Sequence, residues 1–317
     1  MYSLGGFRSV KHNLPMLKSL FLYSDKGTIS GDTFADAPLL HTINIPSCTG
    51  LNIPYGQIRN ATSHGSFADL LYLLHRAPSL AFQRYECDSL SSAGLIYVVS
   101  PLKTLILSSK HAFGDFFDFV TLPLINTLFL DQEHPQPVSP QSLISLLARS
   151  SSHLTKLILS CMALTDDDLT QCLRMTPSLV ELGLQGKEGH GGGLSCVSNR
   201  FLIDLSVLNH GGGGASLKPP PLIPCLAILT LWGPFMFDAS ILVDMVMSRC
   251  RAEMSPGVQT LRKVHLHPFQ KLDIHAMTRL EQLSVLGLDL VIEEVVGYRR
   301  RDPPGYWKYN IETPRFR

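Results

Sequence analysis

The sequence has no long hydrophobic run and no leader-like N-terminus. No window reaches the roughly 18 consecutive apolar residues that a membrane-spanning helix requires, and residues 1–25 contain no basic stretch followed by a continuous apolar segment. These absences predict a soluble, unsecreted protein that resides in the cytoplasm or the nucleus and has no membrane partner.

The chain also has almost no net charge. The 27 Lys and Arg residues are balanced by 26 Asp and Glu residues, which leaves a formal charge of +1. A protein that binds a polyanion normally carries an excess of basic residues, because neutralising phosphates drives that binding. We therefore predict no nucleic-acid partner.

Paired cysteines are missing too. The seven cysteines are an odd number and include no C-x-x-C pair. This pattern is typical of reduced thiols that pack in a core, and it indicates neither a disulfide framework nor a zinc site.

Catalytic motifs are absent. The chain contains no HExxH, GxSxG, GxxxxGK[ST] or GxGxxG sequence. The glycine-rich run EGHGGG at 188–193 lacks the Lys and the Ser or Thr of a phosphate-binding loop. His265 and His267 share one face of a predicted strand, but no third ligand stands at a metal-site spacing. We predict no catalytic residue, no cofactor, no metal and no enzymatic activity; a hydrolase or transferase with an unrecognised site remains the alternative.

What the sequence does contain is a repeat. Windows such as LPMLKSLFL at 14–22 and TPSLVELGL at 176–184 share the pattern L-x-x-L-x-L. Most successive copies start about 20–29 residues apart, which is the period of leucine-rich repeats. Good matches start at Leu17, Leu40, Leu102, Ile125, Leu154, Leu179, Leu226, Leu261 and Leu280, and poorer ones at Ile58 and Leu80.

Proline precedes many of these copies by two residues, as Pro177 precedes Leu179. Proline cannot continue a helix and pushes its predecessor toward extended geometry, so it predicts the end of one element just before a strand. The six such prolines are Pro15, Pro38, Pro78, Pro123, Pro177 and Pro224.

Between the copies, the pattern predicts capped helices. SFADLLYLLHRAPSL at 66–80 aligns without a gap on TDDDLTQCLRMTPSL at 165–179. Ser66 and Thr165 are each followed three residues later by an aspartate, which is close to a capping box. Each unit is therefore predicted to run from strand through loop and capped helix to a proline stop.

A unit of this kind cannot bury its own apolar face, so successive units must stack. The predicted fold is α/β: a leucine-rich-repeat solenoid with degenerate repeats, a curved parallel sheet inside and helices outside. An ordinary doubly wound α/β domain is the alternative. We predict that the solenoid covers residues 1–297, with a Gly/Pro-rich insertion near 186–224.

The segment 298–317 forms a basic, aromatic C-terminal tail. Its YRRRDPPGYWKYN portion combines four basic residues with aromatic types that are common in binding interfaces. Two roles are open: a cap that folds back on the last repeat, and a surface that binds RNA or a phosphopeptide.

Segments such as DLLYLLHRAPSLAF at 69–82 and LEQLSVLGLDLVIEE at 280–294 resemble the leucine-rich-repeat region of fungal F-box proteins. Of the repeats, LLHTINIPSC alone keeps the consensus cysteine, as Cys48. The resemblance implies that the repeats hold a protein substrate for a ubiquitin ligase. An F-box does not fit before the first repeat, so a ligase adaptor is an expected partner only if an F-box lies upstream. A truncated remnant without a present function is a further alternative.

Strand side chains alternate, so the residues between the aliphatics are predicted to face the concave surface. Large aromatics recur there, and we predict that Phe21, Tyr23, Phe129 and Trp232 anchor a partner protein. The full predicted partner-binding set is Phe21, Tyr23, Arg84, Glu86, Phe129, Lys156, Trp232, His265 and His267.

Overall fold

A computed structural model gives the fold of the chain. It describes residues 2–3, 14–23, 29–46, 50–89, 95–133, 139–150, 153–186, 197–207, 221–233, 237–251, 257–268, 272–285 and 287–293. Cys48, the glycine-rich run 188–193, part of the predicted insertion and the predicted tail 298–317 lie outside these residues.

Eleven strands form one open sheet in which every pair is parallel. They follow one another in chain order from one edge to the other: β2 (Ser19–Phe21), β4 (Thr42–Asn44), β5 (Asn60–Ser66), β6 (Phe82–Ser89), β8 (Thr104–Ser109), β10 (Thr127–Gln132), β11 (Lys156–Ser160), β12 (Glu181–Gln185), β13 (Ile228–Gly233), β14 (Lys263–Pro268) and β15 (Asp289–Ile292). Two short parallel pairs stand apart: β1 (Tyr2–Ser3) with β3 (Ile29–Ser30), and β7 (Val98–Val99) with β9 (Val120–Thr121).

Helices fill most of the connections between the strands. They are α1 (Phe67–Arg76), α2 (Gly114–Asp118), α3 (Pro140–Ser150), α4 (Asp166–Arg174), α5 (Asn199–Leu205), α6 (Ala239–Cys250) and α7 (Ile274–Val285), with a 3-10 turn at Tyr55–Gln57. The predicted α/β class with a parallel sheet is confirmed. In the described part of the chain, no helix is both long and apolar enough to cross a membrane.

The main core lies between the helices and one face of the sheet, which we call the core face. Aliphatic side chains stand opposite one another across this face because all the strands share one register. One such row is fully buried and comprises Leu105, Leu128, Leu157, Leu182, Leu229 and Val264. The strands thus add apolar side chains, mostly leucines, to the same continuous cluster, which is where burial of apolar surface stabilises the fold.

The prolines of the repeat have a more specific role than stopping a helix. In all six places the residue before proline accepts a hydrogen bond, 3.0–3.2 Å long, from the N–H of the first aliphatic residue of the repeat. Proline therefore occupies the second position of a β-turn, where its fixed φ is favourable. The turn places the aliphatic residue at the start of the next strand.

The predicted capping boxes are confirmed in α1 and α4. The N–H of Asp168 donates to Thr165 Oγ1 over 3.2 Å, and the N–H of Thr165 donates to Asp168 Oδ2 over 3.0 Å. Ser66 and Asp69 repeat the arrangement with distances of 3.2 and 2.9 Å. In each pair, the two side chains accept hydrogen bonds from backbone N–H groups at the helix start, which would otherwise lack a partner.

Removing the Thr165 cap is expected to destabilise α4. We expect Thr165→Ala to lower the free energy of unfolding by about 1 kcal/mol, since the hydroxyl is lost, and Thr165→Ser to change it little. Denaturant titration followed by circular dichroism measures both. Equal stability of the two variants would show that the cap contributes nothing.

The prediction for the last repeat is wrong. Leu280 was expected to begin a strand, but it lies in α7, and the strand follows later as β15. Leu280 and Leu283 stand three residues apart and are both buried on one side of the helix. The spacing L-x-x-L fits a helix as well as a strand entry, whereas the poorer matches at Ile58 and Leu80 do precede strands β5 and β6.

Two arginines tie successive helices together. Arg149, near the end of α3, donates from Nη2 to the carbonyls of Phe117 and Val120 over 2.7 and 3.2 Å. Arg249, at the corresponding place in α6, donates to the carbonyls of Leu205, Ile223 and Leu222 over 2.6, 3.1 and 2.5 Å. Each guanidinium thus donates to carbonyls at or beyond the end of the preceding helix. The hydrogen bonds of the helix itself provide no donor for such carbonyls.

Candidate interaction surface

The sheet face opposite the core presents three rows of side chains, and we call it the ladder face. Pairing in register aligns every second residue of each strand across all the neighbouring strands. The first row includes Phe82, Thr104, Thr127, Lys156, Glu181, Ile228 and Lys263; the second Arg84, Ile106, Phe129, Ile158, Gly183, Thr230 and His265; the third His64, Glu86, Ser108, Asp131, Ser160, Gln185, Trp232 and His267.

The predicted partner-binding residues fall into these rows. Lys156 lies in the first row, and Phe21, at the edge strand β2, continues the second row through Asn44 and Thr62. Tyr23 follows β2 by two residues and lies outside the paired strand. The remaining six stand in the second and third rows: Arg84, Phe129, His265, Glu86, Trp232 and His267.

Their exposure divides the set in two. Tyr23 and Phe21 are 89% and 49% exposed, and Glu86 is exposed as well. Arg84 and Lys156 are half-buried. Phe129, Trp232, His265 and His267 are buried, with Trp232 only 1% exposed. The first five can meet a partner directly, whereas the last four are already covered.

A second apolar cluster lies on the ladder face. It consists of Phe82, Ile106, Phe129, Ile158 and Trp232, and it is separate from the main core. The partner-binding set predicted from the sequence omits Phe82, Ile106 and Ile158. A signal for the two isoleucines was available, because Leu-Ile-Leu at 105–107 and at 157–159 is a continuous apolar run, which is typical of a strand buried on both faces.

Trp232 and two histidines stack at one end of this cluster. The Trp232 and His267 rings are parallel within 17° with centroids 4.6 Å apart, and His265 meets His267 edge-on at 6.5 Å. Burial lowers the pKa of both histidines; Lys263 lowers that of His265 further, while the Glu293 carboxylate, 3.4 Å from His267 Nδ1, opposes the shift. Both imidazoles are therefore held in the neutral form near pH 7.

The two histidines make stability depend on pH. The folded-state pKa values of these histidines lie below the unfolded value of about 6.5. As the pH falls below that value, the unfolded chain therefore binds more protons than the folded chain does. Stability is then lost from about pH 6.5 downward, by at most about 1.4 kcal/mol per pH unit for each histidine.

Denaturant titrations between about pH 5.5 and 7.5 measure this loss, in the wild type and in His267→Gln. The variant is expected to lose less stability on acidification, because one of the two titrating groups is gone. Identical slopes for the two proteins would contradict the assignment of the effect to this histidine pair.

Ion pairs follow the first row. Lys156 Nζ lies 2.9 Å from Glu181 Oε1 on the adjacent strand, and Lys263 Nζ lies 2.9 Å from Asp289 Oδ2. Opposite charges directly across a strand pair stabilise the sheet modestly. The predicted contact residue Lys156 thus presents a charge that Glu181 already partly neutralises.

The acidic and thiol side chains considered outside the ladder face have structural roles. Asp166 accepts a hydrogen bond from the Ser198 hydroxyl. Asp167 forms an ion pair of 3.0 Å with Arg200, and Asp168 belongs to the capping box of α4. Burial raises the pKa of the Cys172 thiol to about 12, which disfavours the reactive thiolate. Within the described ranges, no group of three or more His, Cys, Asp or Glu residues is arranged to hold a metal ion.

Comparisons with known proteins assign no family. No protein-family model matches the chain, and no curated protein matches it at a significant level.

Proposed function

We propose that the chain is a non-enzymatic protein-binding module of the leucine-rich-repeat type, which holds a partner protein on its ladder face. In this proposal the sheet is the inner surface of a solenoid, and the module corresponds to the substrate-recognition part of an F-box ubiquitin-ligase receptor. The partner would be a protein substrate, and the exposed and half-buried residues Phe21, Tyr23, Arg84, Glu86 and Lys156 would meet it first.

The observation that carries the proposal is the order of the sheet. In the described residues, the eleven parallel strands of the sheet follow the order of the chain, and no reversal of that order occurs among them. A doubly wound domain changes direction at a switch point, where its ligand crevice forms; a repeat array does not, and it offers one extended surface. The mixture of aromatic, hydroxyl and few charged side chains on the ladder face suits protein binding.

The test compares ladder-face variants in affinity capture from an extract of the source organism. Glu86→Arg and Lys156→Glu reverse charges on the proposed surface without removing buried apolar atoms. Tyr72→Ala is the control, because Tyr72 is 38% exposed on α1 in the helical layer. We expect the ladder-face variants to lose a protein that the wild type and Tyr72→Ala both retain.

The same proteins must be equally folded for the comparison to count, so thermal unfolding of each variant is measured alongside. Partners captured equally by all variants, or lost only with Tyr72→Ala, would contradict the proposed surface.

A further inference from the structure

Two imidazoles stand at one end of the second apolar cluster, where water barely reaches them. His265 and His267 are 4% and 2% exposed, and the Trp232 ring that stacks on His267 is 1% exposed. A neutral imidazole is tolerated in such surroundings, whereas an imidazolium that loses its hydration must be stabilised by neighbouring groups. Whether the pair tolerates protonation therefore depends on the charges around it.

The neighbouring strands treat the two histidines differently. On β13 the residues in register with the pair are uncharged. On β15 the residue in register with His265 is Val291, whereas the Glu293 carboxylate lies 3.4 Å from His267 Nδ1. An imidazolium at His267 would thus meet a carboxylate and a stacked indole ring, both of which attract a cation.

Charges on the same strand increase the difference. Lys263 lies two residues before His265 on the same face and forms an ion pair of 2.9 Å with Asp289. Burial, Lys263 and a charged His267 lower the pKa of His265, and the opposing effect of Asp289 and Glu293 is smaller. Burial also lowers the pKa of His267, but Glu293 opposes that shift. When both rings take up protons, the repulsion therefore falls mainly on His265.

Relief of this repulsion does not require the main core to open. The second apolar cluster is separate from the main core. The side chains of Leu231 and Leu266, beside the histidines on β13 and β14, are buried on the core face and belong to the main core. Hydration of the imidazoliums requires only that the atoms which exclude water from the two rings move away on the ladder face.

We propose that His265 and His267 form an acid-sensitive switch, in which their protonation exposes Trp232 and the apolar side chains beside it while the sheet and the main core stay folded. Histidine pairs suit this role because they change charge in the physiological pH range. The change is expected below about pH 6.5, where the buried rings begin to compete for protons. If the proposed function holds, acid conditions enlarge the apolar surface that the ladder face offers to a partner protein.

Tryptophan quenching tests the switch, because Trp232 and Trp307 are the two tryptophans of the chain. Trp307→Phe leaves Trp232 as the sole emitter. Between about pH 7.5 and 5.5, we expect the rate constant for quenching of Trp232 by acrylamide to rise several-fold. Far-UV circular dichroism, recorded on the same samples, is expected to stay constant.

Two variants in this background identify the group that titrates. His265→Gln is expected to remove most of the rise, because glutamine takes up no proton and His267 keeps its carboxylate. His64→Gln is the control, since it makes the same change at an exposed histidine on β5, and it should retain the full rise. A rise of the same size in His265→Gln would overturn the proposal.

Hydroxyl-radical footprinting of the wild type covers the case in which His265→Gln does not fold. Oxidation of Trp232, followed by mass spectrometry, is expected to increase several-fold from about pH 7.5 to about pH 5.5. Phe116, which is 0% exposed in the main core, should remain protected at both pH values. Constant oxidation of Trp232, or a joint increase at Trp232 and Phe116, would contradict a switch confined to the ladder face.

Partner capture at the two pH values separates the switch from the proposed function. If both hold, more of a ladder-face partner should be retained at the lower pH, and His265→Gln should reduce this gain. Exposure of Trp232 on acidification without any captured partner would support the switch and count against the protein-binding function alone.

Discussion

Replacing Arg249 with methionine is expected to lower the free energy of unfolding by about 3–5 kcal/mol. Arg249 is 0% exposed, and burial lowers its pKa to about 10. Its guanidinium donates hydrogen bonds to the Leu205 carbonyl in α5 and to the Leu222 and Ile223 carbonyls before β13. These bonds connect both segments to α6. Methionine fills much of the space but leaves these three buried acceptors without donors.

Arg149→Met is the matched control, because Arg149 has the corresponding place in α3 and also bonds two carbonyls of the preceding unit. Arg149 is exposed, so water can replace the lost donors, and we expect a loss below about 1 kcal/mol. Denaturant titration of both variants gives the comparison. Similar losses of unfolding free energy in the two variants would show that the buried hydrogen bonds of Arg249 do not contribute specially to stability.

Leu182→Ala is expected to destabilise the protein by about 3–4 kcal/mol. Leu182 is fully buried on an inner strand of the sheet, between Leu157 and Leu229 on the neighbouring strands. Truncation removes apolar contacts and leaves a cavity between two rigid neighbours in the shared core, where the strands cannot close the gap.

The same chemical change at Leu124 is the control. Leu124 follows Pro123 in one of the β-turns and is 45% exposed, so Leu124→Ala is expected to cost no more than about 0.5 kcal/mol. Thermal and denaturant unfolding measure both variants. A small effect at Leu182 would mean that the strands do not share a tightly packed interior.

The repeat made most of the sheet predictable from sequence. The proline turn and the L-x-x-L-x-L pattern act locally, and they recur wherever a unit begins, so the strand positions follow from the spacing. The exception at Leu280 has a local cause as well: three-residue leucine spacing also describes one side of a helix, and α7 extends to Val285 before β15 begins.

The candidate surface was predictable only in part. Strand alternation places Arg84, Glu86 and Lys156 on the ladder face, because the period of a strand is two residues. Alternation carries no information about how closely the side chains of one face pack, so it could not predict the burial of Phe129, Trp232, His265 and His267. The isoleucines at 106 and 158 indicated this burial, since they make the strands apolar on both sides.

The most direct test of the account measures distances along the first row of the ladder face. Spin labels on unnatural amino acids at Ser19, Thr104 and Ile228 avoid the seven native cysteines. Four strand steps separate each neighbouring pair, so pulsed electron spin resonance should give about 19 Å for Ser19–Thr104 and for Thr104–Ile228. The outer distance, Ser19–Ile228, should be clearly longer and at most about 38 Å. An outer distance no longer than the inner ones would contradict a sheet whose strands follow the chain from edge to edge.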